Sequence, residues 1–465
     1  MDSVTVGLDI GTTSIKAVAV DRDGHVLDRV RLPHPVIVAA PHMMEHDAVR
    51  AWRRGPRRAL ASLRGVRAAG VAVAAMVPSL TAVDRRGRPL TPGLLYGDRR
   101  EPVAAAGETT EGGAELEGFL RWSSRAAPGA HAYWPAQAVA NFALGGRPAV
   151  DYAVAYIASP LFGVNGWDAG ICGRYGVGPD QLPEVELPGA AIGHLGGDAG
   201  GPVLTAGAVD VWCEQLVAGA TQAGDVHVMC GTTLIVWAVG PAGGPQPHPG
   251  LWSVPHGSPG LRIIGGASNA GGLFLDWVRR AIRSPARHDP LHPDQVPIWV
   301  PYLRGERTPF HDPSRRASLW GLDLTHGPAA IHRAAWEASA FVVRHHLDLS
   351  GVAGRRIVAT GGGTKVGGWM QALADGTGLP VHVASEPEGA ARGAAFLARM
   401  AAGLETDVHD AGRWASTNAV VEPRPGWVDP VTARYRRFLE LSGPPGDRSS
   451  GDTEGEPGGR QETRL

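Results

Sequence analysis

Lysine is nearly absent from this chain. Of its 44 lysine and arginine residues only two are lysines, Lys16 and Lys365, so arginine carries the other positive charges. A compact ammonium is the usual point charge for a phosphate, whereas a planar guanidinium needs more room. Lys16 lies five residues after Gly11, and Lys365 lies two residues after Gly363. The position of both lysines near glycines indicates phosphate contacts. The alternative is that the two lysines lie near glycines by chance, because glycine is abundant in this chain.

The chain also lacks the features of several protein classes. Its three cysteines, Cys172, Cys213 and Cys230, have no metal-ligand spacing, which indicates buried thiols in a reducing compartment. No basic stripe accompanies the formal charge of −1, so we expect no nucleic-acid partner. The longest apolar run, near Gly70–Val77, is too short to span a bilayer, and no signal-peptide pattern opens the chain. These absences predict a cytoplasmic protein with no membrane partner.

The tripeptide Gly-Thr-Thr occurs twice, at residues 11–13 and 231–233, each time between apolar strand-like runs. A glycine after a strand allows a tight turn, which leaves backbone N–H groups and two hydroxyls free to donate to an anion. Two such turns facing each other across a cleft could hold a polyphosphate from both sides. The repeat predicts a duplicated domain, and 465 residues are enough for two or three domains.

Apolar periodicity divides the chain into two α/β halves and a tail. The first half is predicted to have strands at 4–10, 15–20, 26–30 and 70–76, a helix at 46–63 and an irregular segment at 104–130. The second half is predicted to have a strand at 356–359 and helices at 211–220, 271–282, 329–349, 369–377 and 390–402. The predicted boundaries are 1–200, 201–442 and a disordered tail at 443–465, where apolar residues are scarce.

Two carboxylates stand where strand-like runs end. Asp9 lies two residues before Gly11, where it could bind Mg²⁺ beside phosphates, directly or through water. The alternative is that Asp9 caps the amides of its own turn. Asp210 follows the run VLTAGAV and precedes a helix, where it could orient a hydroxyl and accept its proton in phosphoryl transfer. A plain helix N-cap is the alternative for Asp210, and the residues alone leave both open.

Two glycine-rich bends lead into predicted helices. They are GASNAGGLFLDW at 266–277, which contains Gly271, and GGGTKVGGWMQALAD at 361–375, which contains Gly361 and Gly362. Helix N-termini and close backbone approach suit the phosphates or the flat base of a nucleotide. No GxxxxGK[ST] motif occurs, so P-loop chemistry is unsupported. A nicotinamide dehydrogenase is also unsupported, because no convincing ribose-binding acid follows GGGTKVG.

Taken together, these segments resemble the FGGY family of carbohydrate kinases, which share the actin-like ATPase fold. DIGTTSIKAVAVD resembles the first phosphate segment of that family, VMCGTTLIVWAV the second, and GPVLTAGAVD the segment of the catalytic aspartate. PYLRGERTPFHDPSRRASLWGL at 301–322 resembles a family signature, GGGTKVGGWMQALADGTGLPV the adenosine segment, and EGAARGAAFLA the helix behind it. The resemblance covers most of residues 4–400. It implies an α/β fold of two duplicated actin-like ATPase (ribonuclease H-like) domains around a central cleft.

The resemblance also implies a role for each candidate residue. Asp210 would be the general base, and Asp9 would hold Mg²⁺ beside the phosphates of ATP. The other residues of the ATP site would be Gly11, Thr12, Thr13, Lys16, Gly231, Thr232, Thr233, Gly271, Gly361, Gly362 and Lys365. Closure of the two domains would exclude water, so that ATP transfers its phosphoryl group to the sugar rather than hydrolysing.

Xylulokinase-like members of the family are the most similar, on the segment PSLTAVDRRGRPLTPGLLYGDRR at 78–100. By this resemblance Asp98 and Arg99 would lie near the sugar. Many xylulokinases place Met-His in the cleft segment, the His six residues before an Asp. Counting back from Asp84 gives Val77 and Pro78 here, whose side chains cannot make the hydrogen bond of that histidine. A xylulose-like pentulose is the first expectation, and a hexulose, sugar acid, polyol or unusual sugar stays open.

A second function, from another class, is compatible with the same fold. An actin-like ATP-binding sensor or switch would bind ATP without productive sugar phosphorylation. Asp210 and the GERTP segment argue against it, and sugar-dependent release of ADP would separate the two. The sequence leaves the oligomeric state open, with a homodimer as one option.

Overall fold

The first sheet grows from a hairpin of two apolar, β-branched strands, a composition that favours a buried sheet. The structure is a computed structural model that describes residues 3–40, 42–101, 111–256, 260–283, 291–385 and 388–444. The strands of the first half are β1 Val4–Ile10, β2 Ser14–Val20, β3 Val26–Pro33, β4 Glu45–His46, β5 Ala68–Ala75, β6 Ser79–Val83, β7 Gly93–Leu95, β8 Ala132–Trp134, β9 Ala149–Asp151, β10 Phe162–Gly163, β11 Gly166–Trp167, β12 Glu184–Glu186, β13 Ala191–His194, β14 Val203–Thr205 and β15 Ala208–Val209. Its helices are α1 Gly55–Ser62, α2 Glu111–Ala126, α3 Ala136–Leu144, α4 Tyr152–Tyr156, α5 Ala169–Arg174 and α6 Asp210–Ala218, with a π-helical turn at Val49–Arg54.

The strand order of the first sheet is β13-β14-β5-β1-β2-β3, and β15 also pairs with β5. Strand β1 runs antiparallel to β2 and parallel to β5, so the hairpin lies beside a parallel strand. Strands β14 and β15 are parallel to β5 as well. The carboxyl ends of β1, β5 and β15 therefore meet at one edge, the usual place for ligands in such sheets.

The second half repeats this arrangement. Its strands are β16 Asp225–Cys230, β17 Leu234–Pro241, β18 Trp252–Pro255, β19 Leu261–Ser268, β20 Ile298–Val300, β21 Ser318–Trp320, β22 Arg356–Thr360, β23 Val381–Ala384 and β24 Thr417–Val421. Its helices are α7 Gly272–Ala281, α8 Pro328–Ser350, α9 Gly367–Thr377, α10 Gly389–Ala401 and α11 Pro425–Ser442. The sheet order is β18-β19-β17-β16-β22-β23-β24, with β16 antiparallel to β17 and parallel to β22. The shared pattern confirms the predicted duplication of an α/β unit.

Helix α10 comes from the second half but packs on the first sheet. A Cβ atom at Gly7 in β1 would lie 1.7 Å from the carbonyl oxygen of Ala391, and one at Gly393 would lie 1.9 Å from that of Cys213 in α6. Glycine at these two positions lets α10 lie directly on β1 and cross α6 backbone to backbone. The buried residues of α6 and α10 therefore belong to the core of the first sheet, and the predicted boundary at residue 200 stays a prediction.

Most predicted elements are confirmed within a few residues, including the three strands of the first hairpin unit and helices α7 to α10. The segment predicted as one helix at 46–63 instead starts with β4 and a π-helical turn before α1. The predicted tail lies outside the described residues from 445 onward.

The prediction that 104–130 is irregular was wrong over helix α2. Phe119 and Leu120 of this helix are buried, which follows the helical spacing that begins at Leu116. Glu117 of the same helix is also buried and accepts a 2.8 Å hydrogen bond from the Tyr175 hydroxyl. The helical spacing was not recognised because the segment is rich in Gly, Ala and Glu. Residues distant in sequence, such as Tyr175, stabilise the helix. Residues 102–110 of the predicted segment lie outside the described part of the chain.

Candidate active site

The first Gly-Thr-Thr turn lies at the tip of the β1–β2 hairpin. Register pairs Asp9 directly with Lys16, and the ammonium of Lys16 lies 3.0 Å from Asp9 Oδ2. The negative charge of Asp9 raises the pKa of Lys16, against the lowering effect of burial. The turn itself is closed by a 3.0 Å hydrogen bond from the Gly11 amide to the carbonyl of Ser14. The hairpin thus presents a fixed ammonium–carboxylate pair next to the turn.

Two histidines that sequence reasoning missed support this turn from behind. The Nε1 atom of Trp52 donates to His46 Nδ1 at 3.0 Å, so the proton of His46 is on Nε2, which donates to the Thr12 carbonyl at 2.7 Å. Burial lowers the pKa of His46 to about 4, so this tautomer is neutral. His34 Nε2 lies 2.9 Å from the Gly11 carbonyl. A lone histidine gives no sequence signal for such a role.

The Thr12 hydroxyl is already partnered, by the hydroxyl of Tyr96 at 2.8 Å. Its neighbour Thr13 is exposed. Thr13 therefore has the exposed hydroxyl of the turn, while Thr12 ties the turn to the segment that precedes Asp98.

Asp210 begins α6 at the sheet edge where the first hairpin ends. Both Ile10 of β1 and Val209 of β15 pair with Ala75 of β5, which brings Asp210 close to the end of β1. The helix N-cap is Val209, and the Asp210 carboxylate accepts a 2.7 Å hydrogen bond from the Val211 amide. Burial, and then the charge of Asp9, raise the pKa of Asp210 to about 7. A carboxyl group with this pKa can accept a proton near neutral pH.

The second Gly-Thr-Thr turn is held against the start of α7. The amide of Gly272 donates to the Gly231 carbonyl at 2.8 Å, and the amide of Leu273 donates to the Thr232 carbonyl at 3.0 Å. A Cβ atom at Gly271 would lie 2.5 Å from the carbonyl carbon of Thr233, so only glycine fits there. Gly271 thus belongs to the structure of this turn, while Gly231 and Thr232 are exposed.

The triple-glycine segment lies at the neighbouring strand end. Register pairs Met229 of β16 with Thr360 of β22, so the turn after β16 and the segment after β22 leave the same edge of the second sheet. Gly361 has φ of 87° and lies close to the Cys230 carbonyl. Gly362 and Lys365 are exposed on the short turn that leads into α9.

The residues predicted to contact the sugar lie in two different settings. The carboxylate of Asp98 is buried and accepts from Arg100 Nη2 and from the Met44 amide, each at 2.7 Å, while Arg99 is exposed. Val77 and Pro78 line a cavity of about 30 Å³ whose walls are almost entirely apolar. The hydrogen bonds of Asp98 thus hold its own loop in place. Val77 and Pro78 come directly after β5, at the sheet edge that also carries Asp210.

One protein oxygen at this site, Asp9 Oδ1, is suited to bind a cation beside the phosphates. Asp9 is 4% exposed, and its Oδ1 atom has no hydrogen-bond partner while Oδ2 holds Lys16. Within the described ranges no group of three or more His, Cys, Asp or Glu side chains has the geometry of a metal site. The unpartnered Asp9 Oδ1 fits Mg²⁺, which is usually bound by one or two carboxylates together with waters and substrate phosphates.

Comparison with known proteins identifies the family. The N-terminal domain of the FGGY family of carbohydrate kinases matches residues 4–107, and the C-terminal domain of the same family matches residues 226–402. The chain belongs to the FGGY family of carbohydrate kinases. This kinase is 25% identical to xylulose kinase of Bacillus subtilis (strain 168), over 86% of the chain and 88% of the relative. It is 26% identical to gluconokinase of the same organism, over 87% of the chain and 88% of the relative.

The fold of the kinase is equally well matched. The crystal structure of xylulose kinase from Rhodospirillum rubrum aligns with a TM-score of 0.79 at 25% identity, covering 94% of this chain and 98% of that one. The actin-like two-domain fold, the xylulokinase-like resemblance and the carbohydrate-kinase activity with ATP and Mg²⁺ are thereby confirmed. Its substrate is a small-molecule sugar, and nothing supports the sensor alternative. No helix in the described part of the chain has the length and apolarity that a membrane crossing requires.

Proposed function

We propose that this kinase transfers the γ-phosphoryl group of ATP to a hydroxyl of a xylulose-like pentulose, with Asp210 as the general base. The observation that carries the proposal is the position of Asp210, at the sheet edge that also carries Asp9 and Lys16. A carboxyl group with a pKa of about 7 takes the hydroxyl proton as the new O–P bond forms.

The other residues bind and orient the nucleotide. Lys16 donates to a phosphate while Asp9 Oδ2 keeps its ammonium in place. Asp9 Oδ1 would bind Mg²⁺ directly or through water, and that ion would supply charge neutralisation at the phosphates. The turns at 11–13 and 231–233 would contact the phosphates through their threonines, because the Gly11 and Gly231 amides already donate within their own turns, and Gly361, Gly362 and Lys365 would line the adenosine side.

The pentulose assignment draws on the xylulose kinases among the relatives. The side chains of Val77 and Pro78 cannot donate a hydrogen bond to a sugar hydroxyl, so other side chains must supply those hydrogen bonds. Gluconokinase and glycerol kinase among the relatives make a sugar acid and a polyol the competing substrates. We further propose a cytoplasmic location and a homodimeric assembly, the latter tested by light scattering.

A substrate panel tests this function. ADP release is measured with D-xylulose, D-ribulose, D-fructose, gluconate and glycerol, for the wild-type kinase and for Asp210→Ala. D-xylulose is expected to give the highest kcat/KM, and Asp210→Ala is expected to bind ATP but to lose sugar-dependent turnover. Near-normal turnover by Asp210→Ala would assign the base elsewhere, and a faster reaction with another substrate would replace the pentulose.

A further inference from the structure

Gln137 is a fully buried polar residue of α3 to which no role has been given. Its Nε2 atom donates two hydrogen bonds, to the carbonyl of Ala75 at 3.1 Å and to the carbonyl of Ala208 at 3.2 Å. Both partners are acceptors, so the nitrogen of the side-chain amide must face them. Ala75 ends β5 and Ala208 begins β15, so one side chain of α3 binds two strands of the first sheet.

The strand that leads to Asp210 is interrupted at this point. Leu204 of β14 pairs with Val71 of β5. The next pair is Ala208 with Ala74, so the segment between β14 and β15 contains one residue more than the facing part of β5. Such a bulge breaks the ladder and changes the direction of the strand that follows. Strand β15 has only two residues before Asp210 begins α6, so the position of Asp210 depends on a short ladder and on the contacts around it.

Helix α3 lies directly on this interrupted segment. A Cβ atom at Gly207 would lie 2.3 Å from Gln137 Cβ, so glycine there lets the stem of Gln137 reach the two carbonyls. The amide of Ala136, the first residue of α3, donates to Ser79 Oγ at 3.2 Å. Ser79 comes directly after residues 77–78, which are predicted to lie near the sugar. The start of α3 is thus tied both to the sugar-side segment and to the strand that carries Asp210.

We propose that Gln137 is a positioning residue of this kinase, which fixes Asp210 relative to the sugar by holding the end of β5 against β15. One amide group with two N–H donors binds both carbonyls at once, which an apolar side chain of the same size cannot do. A base must lie within hydrogen-bond reach of the hydroxyl that it deprotonates, so a small shift of β15 lowers the rate of transfer more than it weakens ATP binding. The inference rests on the proposed function, in which Asp210 is the base.

Asn141 provides a matched control for Gln137. It is fully buried one turn further along α3, and its Nδ2 atom donates to the carbonyls of Ala149 and Thr205, at 3.0 and 3.3 Å. Asn141 therefore makes the same kind of contact with the same part of the fold, but further from Asp210. A role in stability alone predicts similar effects of removing either amide, whereas a positioning role predicts a loss of turnover for Gln137 only.

Kinetics with D-xylulose and ATP separates the two roles. Gln137→Met removes the amide but nearly keeps the volume, and it is expected to lower kcat about 10- to 100-fold while KM for ATP stays within about twofold. Asn141→Leu should lower the urea midpoint to a similar extent but keep kcat within about threefold. Equal losses of kcat in the two variants, or a wild-type kcat in Gln137→Met, would overturn the proposal. If Gln137→Met does not fold, Gln137→Asn keeps a buried amide that is one methylene group too short, and an unchanged kcat there would overturn it as well.

Amide hydrogen exchange tests the contact without any substrate. In the ligand-free kinase, the segment 208–216, which carries Asp210, is expected to exchange about 2- to 10-fold faster in Gln137→Met than in the wild type, the size of one lost hydrogen bond. Asn141→Leu should change this segment less. Unchanged exchange in folded Gln137→Met would contradict the proposal. If the proposed function failed, the wild-type kinase would turn over no sugar of the panel, while hydrogen exchange would still show whether Gln137 holds Asp210 in place.

Discussion

The ammonium of Lys16 lies 3.0 Å from Asp9 Oδ2, between directly paired residues of the two strands of one hairpin. The side chain of Lys16 is 35% exposed and that of Asp9 is 5% exposed, so the carboxylate anchors an ammonium that still reaches solvent. Opposite charges facing each other across a strand pair stabilise the pairing. The hairpin thus prepares a cation at the edge where the strands end.

Removal of this ammonium should impair ATP use. We expect Lys16→Met to lower kcat/KM for ATP by about 10- to 100-fold, the effect of one lost charge-assisted hydrogen bond of roughly 1.5–3 kcal/mol. ATP affinity and turnover are measured together. Arg437→Met on the exposed face of α11 is the matched control and should change neither. Unchanged values for Lys16→Met would remove Lys16 from the site.

Activity should depend on the ionisation of Asp210. A general base works only when deprotonated, so kcat/KM for the sugar should fall as the pH drops through about 7, the pKa to which burial and Asp9 raise this group. The fall should approach tenfold per pH unit on the acidic side. The measurement is a pH profile of kcat/KM from pH 5 to 9, in which a flat acidic side would contradict the assignment.

Stability should fall with acid because buried histidines, including His46, His227, His345 and His346, are held in the neutral state. Burial lowers the pKa of His46 and His346 to about 4 and that of His227 and His345 to about 3. Such groups contribute stability above the unfolded pKa of about 6.5, and this stability is lost as the pH falls towards the folded pKa. Each histidine therefore adds up to about 1.4 kcal/mol per pH unit to the slope.

Urea unfolding between pH 7 and 4 measures this slope. His345→Leu removes one buried titrating group and should flatten the pH dependence of the unfolding free energy. His292→Gln, at an exposed position, should leave the slope as it is in the wild type. Equal slopes for His345→Leu and the wild type would show that protonation of His345 does not oppose folding.

Gly271 should tolerate no side chain, because its Cβ atom would meet the backbone of Thr233. We expect Gly271→Ala to displace the second Gly-Thr-Thr turn and to weaken ATP binding. Gly426→Ala on α11 is the matched control, since nothing lies within 4 Å of a Cβ atom at Gly426. Calorimetric titration with ATP compares the two, and equal affinities would mean that the turn absorbs the extra methyl group.

Helix α2 gives a prediction on stability alone. Phe119 is fully buried among apolar side chains, so Phe119→Ala should cost about 3–5 kcal/mol of unfolding free energy. Arg121→Ala on the exposed side of the same helix should cost less than about 1 kcal/mol. Equilibrium denaturation measures both. A small effect of Phe119→Ala would mean that this part of the chain is as loosely ordered as its composition suggests.

The duplicated sheets and the two turns were predictable because strand signals are local. Apolar runs, a glycine and two threonines specify a hairpin within about fifteen residues, and the pattern recurs at 226–240. Helix α2 was missed because its partners, such as Tyr175, lie far away in sequence. His46 was missed for the same reason, since its partner Thr12 comes from another element.

The sequence by itself determined the two α/β units, the turns that end their first hairpins and the residue types available to bind phosphate. These depend on local strand and turn preferences and on periodicity, which act over a few residues. Only the tertiary structure decided that Asp210 lies at the edge that carries Asp9 and Lys16, and that α10, which comes from the second half, packs in the core of the first sheet. Sheet order and helix crossing depend on contacts between residues that are distant in sequence, and local sequence patterns do not specify such contacts.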